Sequence, residues 1–347
     1  MDRRTFLKSS ALTLGALATG CTAGLGSDPL TASALALSSP QTYKLGRLSV
    51  TVPDFMQPRV EKFSYTWDSR TPNNESHYLG YPLSLSEQPY INAAHAEAEW
   101  HDAVDTVRNE NHCGLLFEGF EWDASSQFKV PAYFFCFKGD GATYQFYIII
   151  QESQCLLHIV GRKSYRYPAQ PEKDALTEEI LQILTEFYKK YRQGHNIHRG
   201  NIFYTYYGEI IDVIFNTNER MSVQFSNTEK DLLWGINTSI NFFGETENDL
   251  RNWMKRGGRP GFSRARMRDI PNFPGKGYET LEKNNNTSLY FLELDYAGLY
   301  LDTHIPSFHM FATKKPSVDM DIFLEMWEVI LADIRPLQQE NFRSTKL

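Results

Sequence analysis

Phe187-Tyr-Lys-Lys-Tyr191-Arg-Gln-Gly194-His-Asn-Ile-His-Arg-Gly-Asn201-Ile202-Phe-Tyr-Thr-Tyr206 is the stretch on which the fold turns. It closes an amphipathic helix, passes a glycine and a polar run, and starts a strand. Upstream, Leu176, Ile180, Ile183, Leu184, Phe187 and Tyr191 fall on one face of a helix predicted over 177–192, with Gly194 as its terminator. Downstream, the aromatic and β-branched residues of 202–215 read as strand. What precedes this junction then recurs after it.

On the N-terminal side, Leu48, Val50 and Val52 alternate with polar residues up to Pro53, and Phe63, Tyr65 and Trp67 do the same. A helix is predicted over 91–108 from the spacing of Ala93, Ala96, Trp100, Val104 and Val107. Strands follow at 115–122, 131–138, 144–151 and 155–161, with Gly139-Asp140-Gly141 as a turn. On the C-terminal side the order is a strand at 221–225, a helix at 246–255, and strands at 277–281, 288–295 and 305–313. A closing helix over 318–334 is expected, capped by Ser317 and stopped by Pro336, with Phe323, Met326, Trp327, Ile330, Leu331 and Ile334 as its apolar stripe. The expected class is therefore α+β, as two topologically similar domains, 42–197 and 198–347, each an antiparallel sheet with packed helices. The halves share no visible sequence identity, so the repeat is one of architecture.

The first residues are an address and not part of the fold. Arg3-Arg4-Thr5-Phe6-Leu7-Lys8, followed by a weakly apolar run, has the form of a twin-arginine export signal over 1–20, with Arg3, Arg4, Phe6 and Leu7 as its determinants. Asp2 stands where Ser or Thr is usual. The run from Ser9 to Gly20 is too short for a membrane span, which needs about 20 apolar residues. Ala18-Thr19-Gly20-Cys21 resembles a lipobox, in which Cys21 would be the lipidated residue; the alternative is ordinary cleavage after Ala16-Leu17-Ala18. The expected location is the periplasm, on a lipid anchor and, with no Asp after Cys21, in the outer membrane. Residues 21–41 have the composition of a flexible tether, about 25 Å long r.m.s..

Composition limits the rest. The chain has 347 residues, 41% hydrophobic and 22% charged, a globular balance whose length suits two domains. Its net charge is −7, and removing residues 1–20, which carry a net +2, leaves −9. Such a chain does not attract nucleic acid nonspecifically. Beyond Cys21, the cysteines Cys113, Cys136 and Cys155 allow at most one disulfide. Twin-arginine substrates fold before export in a reducing compartment, so the fold should not depend on one. Cys136, within Phe134-Phe135-Cys136-Phe137, reads as a small buried hydrophobe.

Signatures of catalysis are missing from the sequence. There is no Gly-x-Ser-x-Gly elbow, no phosphate-binding Gly-x-x-x-x-Gly-Lys loop and no His-Glu-x-x-His. His95, Glu97, Glu99 and His101 read as a solvated helix face, and His195 and His198 as an exposed loop. No catalytic residue, metal or cofactor is therefore expected. One basic segment stands out in the acidic chain: Arg251 to Arg268, with Trp253 and Phe262 among the cations and Gly257-Gly258-Arg259-Pro260-Gly261 at its centre. Read as a loop, it is either a solvated connection or a docking surface for an acidic partner, in which Arg256, Arg259, Phe262 and Arg264 are the contact candidates.

Several segments together resemble the two-domain lipoprotein immunity proteins that accompany lipase effectors of the type VI secretion system. They are Leu45-Gly46-Arg47-Leu48-Ser49-Val50-Thr51-Val52-Pro53, Arg268 through Pro274-Gly275, Phe291-Leu292-Glu293-Leu294, and Met326-Trp327 through Ile334-Arg335-Pro336. Asn272 and Lys276 depart from the Gly and acid of that pattern. The resemblance implies a stoichiometric inhibitor whose partner is a phospholipase, gripped by both domains with its substrate entrance blocked. The rival readings are a periplasmic lipoprotein hydrolase and a cell-envelope ligand-binding module.

Overall fold

Alternation by twos and spacing by threes and fours become nineteen strands and four helices among the described residues. The computed structural model describes residues 40–68, 83–111, 115–119, 128–138, 143–164, 172–195, 201–211, 218–239, 244–255, 262–284, 287–300, 302 and 304–337. Residues 31–347 form one compact unit. The first half runs β1 (Gln41–Leu45), β2 (Leu48–Val52), the two-residue β3 (Gln57–Pro58), β4 (Ser64–Asp68), β5 (Leu83–Pro89), α1 (Ala93–Asn111), β6 (Leu115–Gly119), β7 (Ala132–Lys138), β8 (Thr143–Gln151), β9 (Cys155–Ser164), α2 (Lys173–Tyr188) and β10 (Tyr191–Gln193). The second runs β11 (Ile202–Tyr204), β12 (Gly208–Ile211), β13 (Asn218–Ser226), β14 (Leu232–Ser239), α3 (Glu247–Lys255), β15 (Phe262–Asp269), β16 (Lys276–Lys283), β17 (Tyr290–Tyr296), β18 (Ser307–Lys314), α4 (Met320–Asp333) and β19 (Arg335–Pro336). Apart from β3 and a short 3-10 turn at Val60–Lys62, the two orders are the same.

The pairing repeats as well. Twelve strands of one antiparallel sheet lie in the order β15-β16-β17-β18-β14-β13-β4-β5-β9-β8-β7-β6, and β3 joins it through β13. Reading outward from the β13–β4 seam, each half lays down its strands in the same sequence, which is the duplicated α+β topology the sequence pattern predicts. At the seam Met221 stands opposite Tyr65 and Glu219 opposite Trp67.

Two three-stranded sheets, β1-β2-β19 and β10-β12-β11, lie apart from this path, and in each the strands come from both halves. The hairpin that opens the first half is completed by β19, with Arg335 opposite Ser49. The hairpin that opens the second is completed by β10, with Tyr191 opposite Ile210. A bridge between Gly46 and Tyr204 joins the two small sheets, with N–O distances of 2.7 and 3.0 Å. Gly46 is there because φ is +58° and a Cβ would press on Met221 Sδ at 3.0 Å.

Each hairpin turn is held by a buried carboxylate. Arg47, in the first turn, donates to Glu219 Oε2 and Oε1 at 2.9 and 2.6 Å, to Asn201 Oδ1 at 2.6 Å and to the Ile202 carbonyl at 2.7 Å. Glu87 holds the second turn, accepting from Thr205 Oγ1 at 2.6 Å and from the Tyr206 and Tyr207 amides at 2.8 and 3.2 Å, with Tyr191 adding its hydroxyl at 3.2 Å.

Alternation sends odd and even residues of the large sheet to opposite faces. On the inner face Trp67 packs edge-on against Phe187 of α2 and Phe203 of β11 at 5.3 and 5.1 Å, and Trp327 of α4 donates to Glu279 of β16 at 2.9 Å. The outer face is covered at its flanks, by Ala96, Trp100 and Val104 of α1 on Phe135, Phe137 and Ile149, and by Leu250 of α3 on Tyr278.

Several local expectations change. The segment 45–53 is a hairpin turn and strand, because Gly46 and Arg47 reverse the chain. The helix before the junction ends at Tyr188, and Tyr191 is drawn into β10, so Gly194 follows a strand and does not terminate the helix. The cap of α4 is Asp319, whose carboxylate accepts from the Asp321 amide at 2.7 Å, and not Ser317, whose hydroxyl bonds to Asp231. The stretch 202–215 contains a hairpin, β11–β12, because Thr205-Tyr206-Tyr207 turns over Glu87. Strands β1, β3, β5, β10, β14, β15 and β19 are additions to the predicted set, β15 falling on the basic segment read from the sequence as a loop.

Candidate interaction surface

The polar groups of the interior are structural. Burial pushes the Cys136 thiol up to about 12 and raises Cys155 further, so neither supplies a thiolate nucleophile, and both cysteines are free. His158 is pushed down to about 4 by burial and by His95, and its Nδ1 lies 2.6 Å from the Tyr147 hydroxyl, so it is a neutral core group. Glu279 accepts from Arg266, Arg268 and the Trp327 indole at 2.6, 2.5 and 2.9 Å, and these donors pull its carboxyl below the usual range against the opposing effect of burial. His95 and Glu99 pair at 3.6 Å and His101 and Glu97 at 3.8 Å, on the solvated helix the sequence predicts. Among the described residues no group of His, Cys, Asp and Glu could hold a metal ion, and no helix is long and apolar enough to cross a membrane.

What remains is surface. Between α1 and α3 the outer sheet face carries short polar side chains bonded across strands: Thr66 to Ser84 at 3.2 Å, Ser239 to Ser307 at 2.9 Å and His309 to Asp295 at 3.1 Å. At the end of the second half's strands, the connection between β17 and β18 exposes Leu299 and Tyr300, 42% and 58% accessible. Neither was singled out from the sequence. The available signal is an apolar pair directly after Gly298 and before Asp302, where a turn should be polar.

The basic segment is not one loop. Arg251 lies on α3, paired with Glu247 at 2.6 Å, and Phe262 and Arg264 lie on β15, the outermost strand on its side of the described sheet. Their backbones pair with Glu282 and Leu281. Arg266 and Arg268 are committed to Glu279 and, with Arg268 at 2.7 Å, to Glu328 of α4. Arg256 and Arg259 lie outside the described residues, as do the export residues Arg3, Arg4, Phe6 and Leu7, the lipidation candidate Cys21, and Cys113.

No protein-family model and no curated protein matches the chain. Solved structures do. The apo immunity protein TplEi of the type VI secretion system from Pseudomonas aeruginosa superposes with a TM-score of 0.55 at 13% identity, over 87% of this chain and 98% of that one. A chain of the Tle4–Tli4 complex gives the same values, and TplEi complexed with an "L" peptide gives a TM-score of 0.50 over 86% and 98%. The fold of this chain is the fold of these immunity proteins. At 13% identity the likeness is one of architecture, and it extends over nearly the whole of both chains. Two of these three structures are of an immunity protein.

Proposed function

We propose that this protein is an immunity protein that binds and inhibits a phospholipase effector of the type VI secretion system, acting in the periplasm. The observation that carries the reading is the likeness over 98% of an immunity protein's length, one of the superposed structures being that of a protein complex. The buried thiols and the neutral His158 suit a binding protein. In this reading the two halves clamp the enzyme and occlude its substrate access, and the basic segment with Arg256, Arg259, Phe262 and Arg264 steers the encounter. Purified protein should form an equimolar complex with its cognate phospholipase, bury more than the ~1,600 Å² of a standard interface, and abolish turnover. Sub-stoichiometric inhibition, or hydrolysis by the protein itself after repurification, would favour the hydrolase instead.

Export and anchoring belong to the same proposal. Changing Arg3 and Arg4 to Lys should leave precursor in the cytoplasm, and Cys21→Ala should move the protein out of the membrane fraction. Unchanged fractionation of a cleaved Cys21→Ala protein would remove the lipid anchor from the reading.

A further inference from the structure

The duplication supplies an internal reference for what the fold itself requires. The connection β8–β9 of the first half and β17–β18 of the second occupy equivalent places in the repeat. The first is a three-residue turn, Glu152-Ser153-Gln154, which closes with a Glu152 amide bond to the Cys155 carbonyl at 2.9 Å. The second spans ten residues, 297–306. The topology is satisfied by three, so the additional length has a cause other than chain reversal, and it is here that Leu299 and Tyr300 are exposed together. The other large exposed hydrophobics among the described residues, Ile91, Val160 and Val329, lie singly on other elements.

The long connection is braced by hydrogen bonds and close backbone contacts. Gly298 takes φ +71°, and a Cβ there would collide with the backbone of Ser307 and with the Pro306 carbonyl carbon at 2.6 Å. The Leu299 amide donates to the Ile305 carbonyl at 3.0 Å and the Asp302 amide to the Leu299 carbonyl at 3.2 Å. Asp302 Oδ1 accepts from the amides of His304 and Ile305 at 2.7 and 3.2 Å. The Tyr300 ring lies against Gly244, where a Cβ would stand 3.5 Å from it. Next to the connection in the chain, Tyr296 meets Phe273 edge-on and Phe308 at a tilt, with ring centroids 5.3 and 5.0 Å away, and Phe273 meets Phe308 edge-on at 5.2 Å. An aromatic held this way loses little conformational entropy on binding, which is the property of an interface anchor.

We infer that Leu299 and Tyr300, in the connection between β17 and β18, form a docking anchor that enters an apolar recess on the partner enzyme, the kind of recess an enzyme of acyl chains must have. The inference rests on the function proposed above. A bilayer is disfavoured as the occupant: the connection carries an acidic residue, Asp302, the protein is acidic overall, and two side chains bury little apolar area. The test uses the mature protein, its Leu299→Ala/Tyr300→Ala variant and Tyr300→Phe against the purified cognate phospholipase. The double variant should lose at least ~30-fold in affinity, mostly through faster dissociation, with an unchanged melting curve. Tyr300→Phe keeps the ring and should stay within about threefold. A double variant that binds as tightly as the wild type overturns the anchor while leaving the immunity reading intact; a wild type that binds no phospholipase overturns both. Loss of binding to phosphatidylglycerol vesicles, or of self-association, with enzyme binding unaffected would replace the enzyme by a bilayer or a second copy and overturn the inference.

Discussion

The two hairpin turns do the same work with different chemistry. At the first, the charge on Glu219 meets the charge on Arg47, both 4% exposed, and two further acceptors satisfy the guanidinium. At the second, Glu87 is fully buried and meets only neutral donors: two hydroxyls and two amides. Its carboxyl is pushed above the usual range, first by burial, with the four hydrogen bonds opposing that shift. A buried turn can therefore be fixed either by an opposite charge or by enough oriented dipoles, and the two devices should fail differently.

The largest effect is expected at the charged turn. Arg47→Ala leaves Glu219 buried without a counter-ion and should cost about 3–5 kcal/mol in urea unfolding. Glu219→Leu combined with Arg47→Met should recover most of that loss, because the penalty lies in the stranded charge. A double variant no more stable than Arg47→Ala would show that the pair contributes through geometry alone.

At the neutral turn the effect is smaller. Thr205→Val deletes a donor to Glu87 and the acceptor of the Gly208 amide, 3.1 Å away, and should cost about 2 kcal/mol. A cost near that of Arg47→Ala would erase the distinction between the two devices.

The difference is sharpest in pH. A raised folded pKa means that Glu87 holds its proton more tightly in the folded protein than in the unfolded chain. Its contribution is therefore most favourable below the unfolded value of about 4.3 and declines as pH rises toward the folded one, by at most about 1.4 kcal/mol per unit. The stability of the wild type relative to Glu87→Gln should fall as pH rises above the unfolded carboxyl value, measured by urea titration. A difference that is flat, or that rises with pH, would mean the four donors overcome burial.

The smallest test lies on the helix that feeds β19 into the first turn's sheet. Asp319→Ala removes the α4 cap and should cost about 1 kcal/mol, with Ser317→Ala nearly silent. The reverse order would restore the cap read from the sequence.

Much of this was legible in the residue pattern. The stripe of α4 and the alternation of β8 and β13 report which face of each element is buried, because burial imposes the period of the backbone on the side chains. The recurrence of the order across residues 194–201 was legible for the same reason. Less legible were the short or unusual strands: β5 alternates as Leu83-Ser84-Leu85-Ser86-Glu87, but its inward Glu87 looks like solvent exposure until a partner is known. The basic segment misled because a run of arginines looks alike whether it points to solvent or, as with Arg266 and Arg268, to Glu279 and Glu328.

By itself the sequence determined the helices, most of the strands, the α+β class and the doubling, all of which follow from interactions within a few residues. Only the tertiary structure decided that each half's hairpin is completed by the other half's last strand, that Arg47 and Glu219 meet across 172 residues, and that Leu299 and Tyr300 stand on a brace. The physical reason is that strand partners and buried charges are chosen by closure of long loops, whose cost depends only weakly on length. Local pattern therefore carries little record of which distant segment completes a sheet.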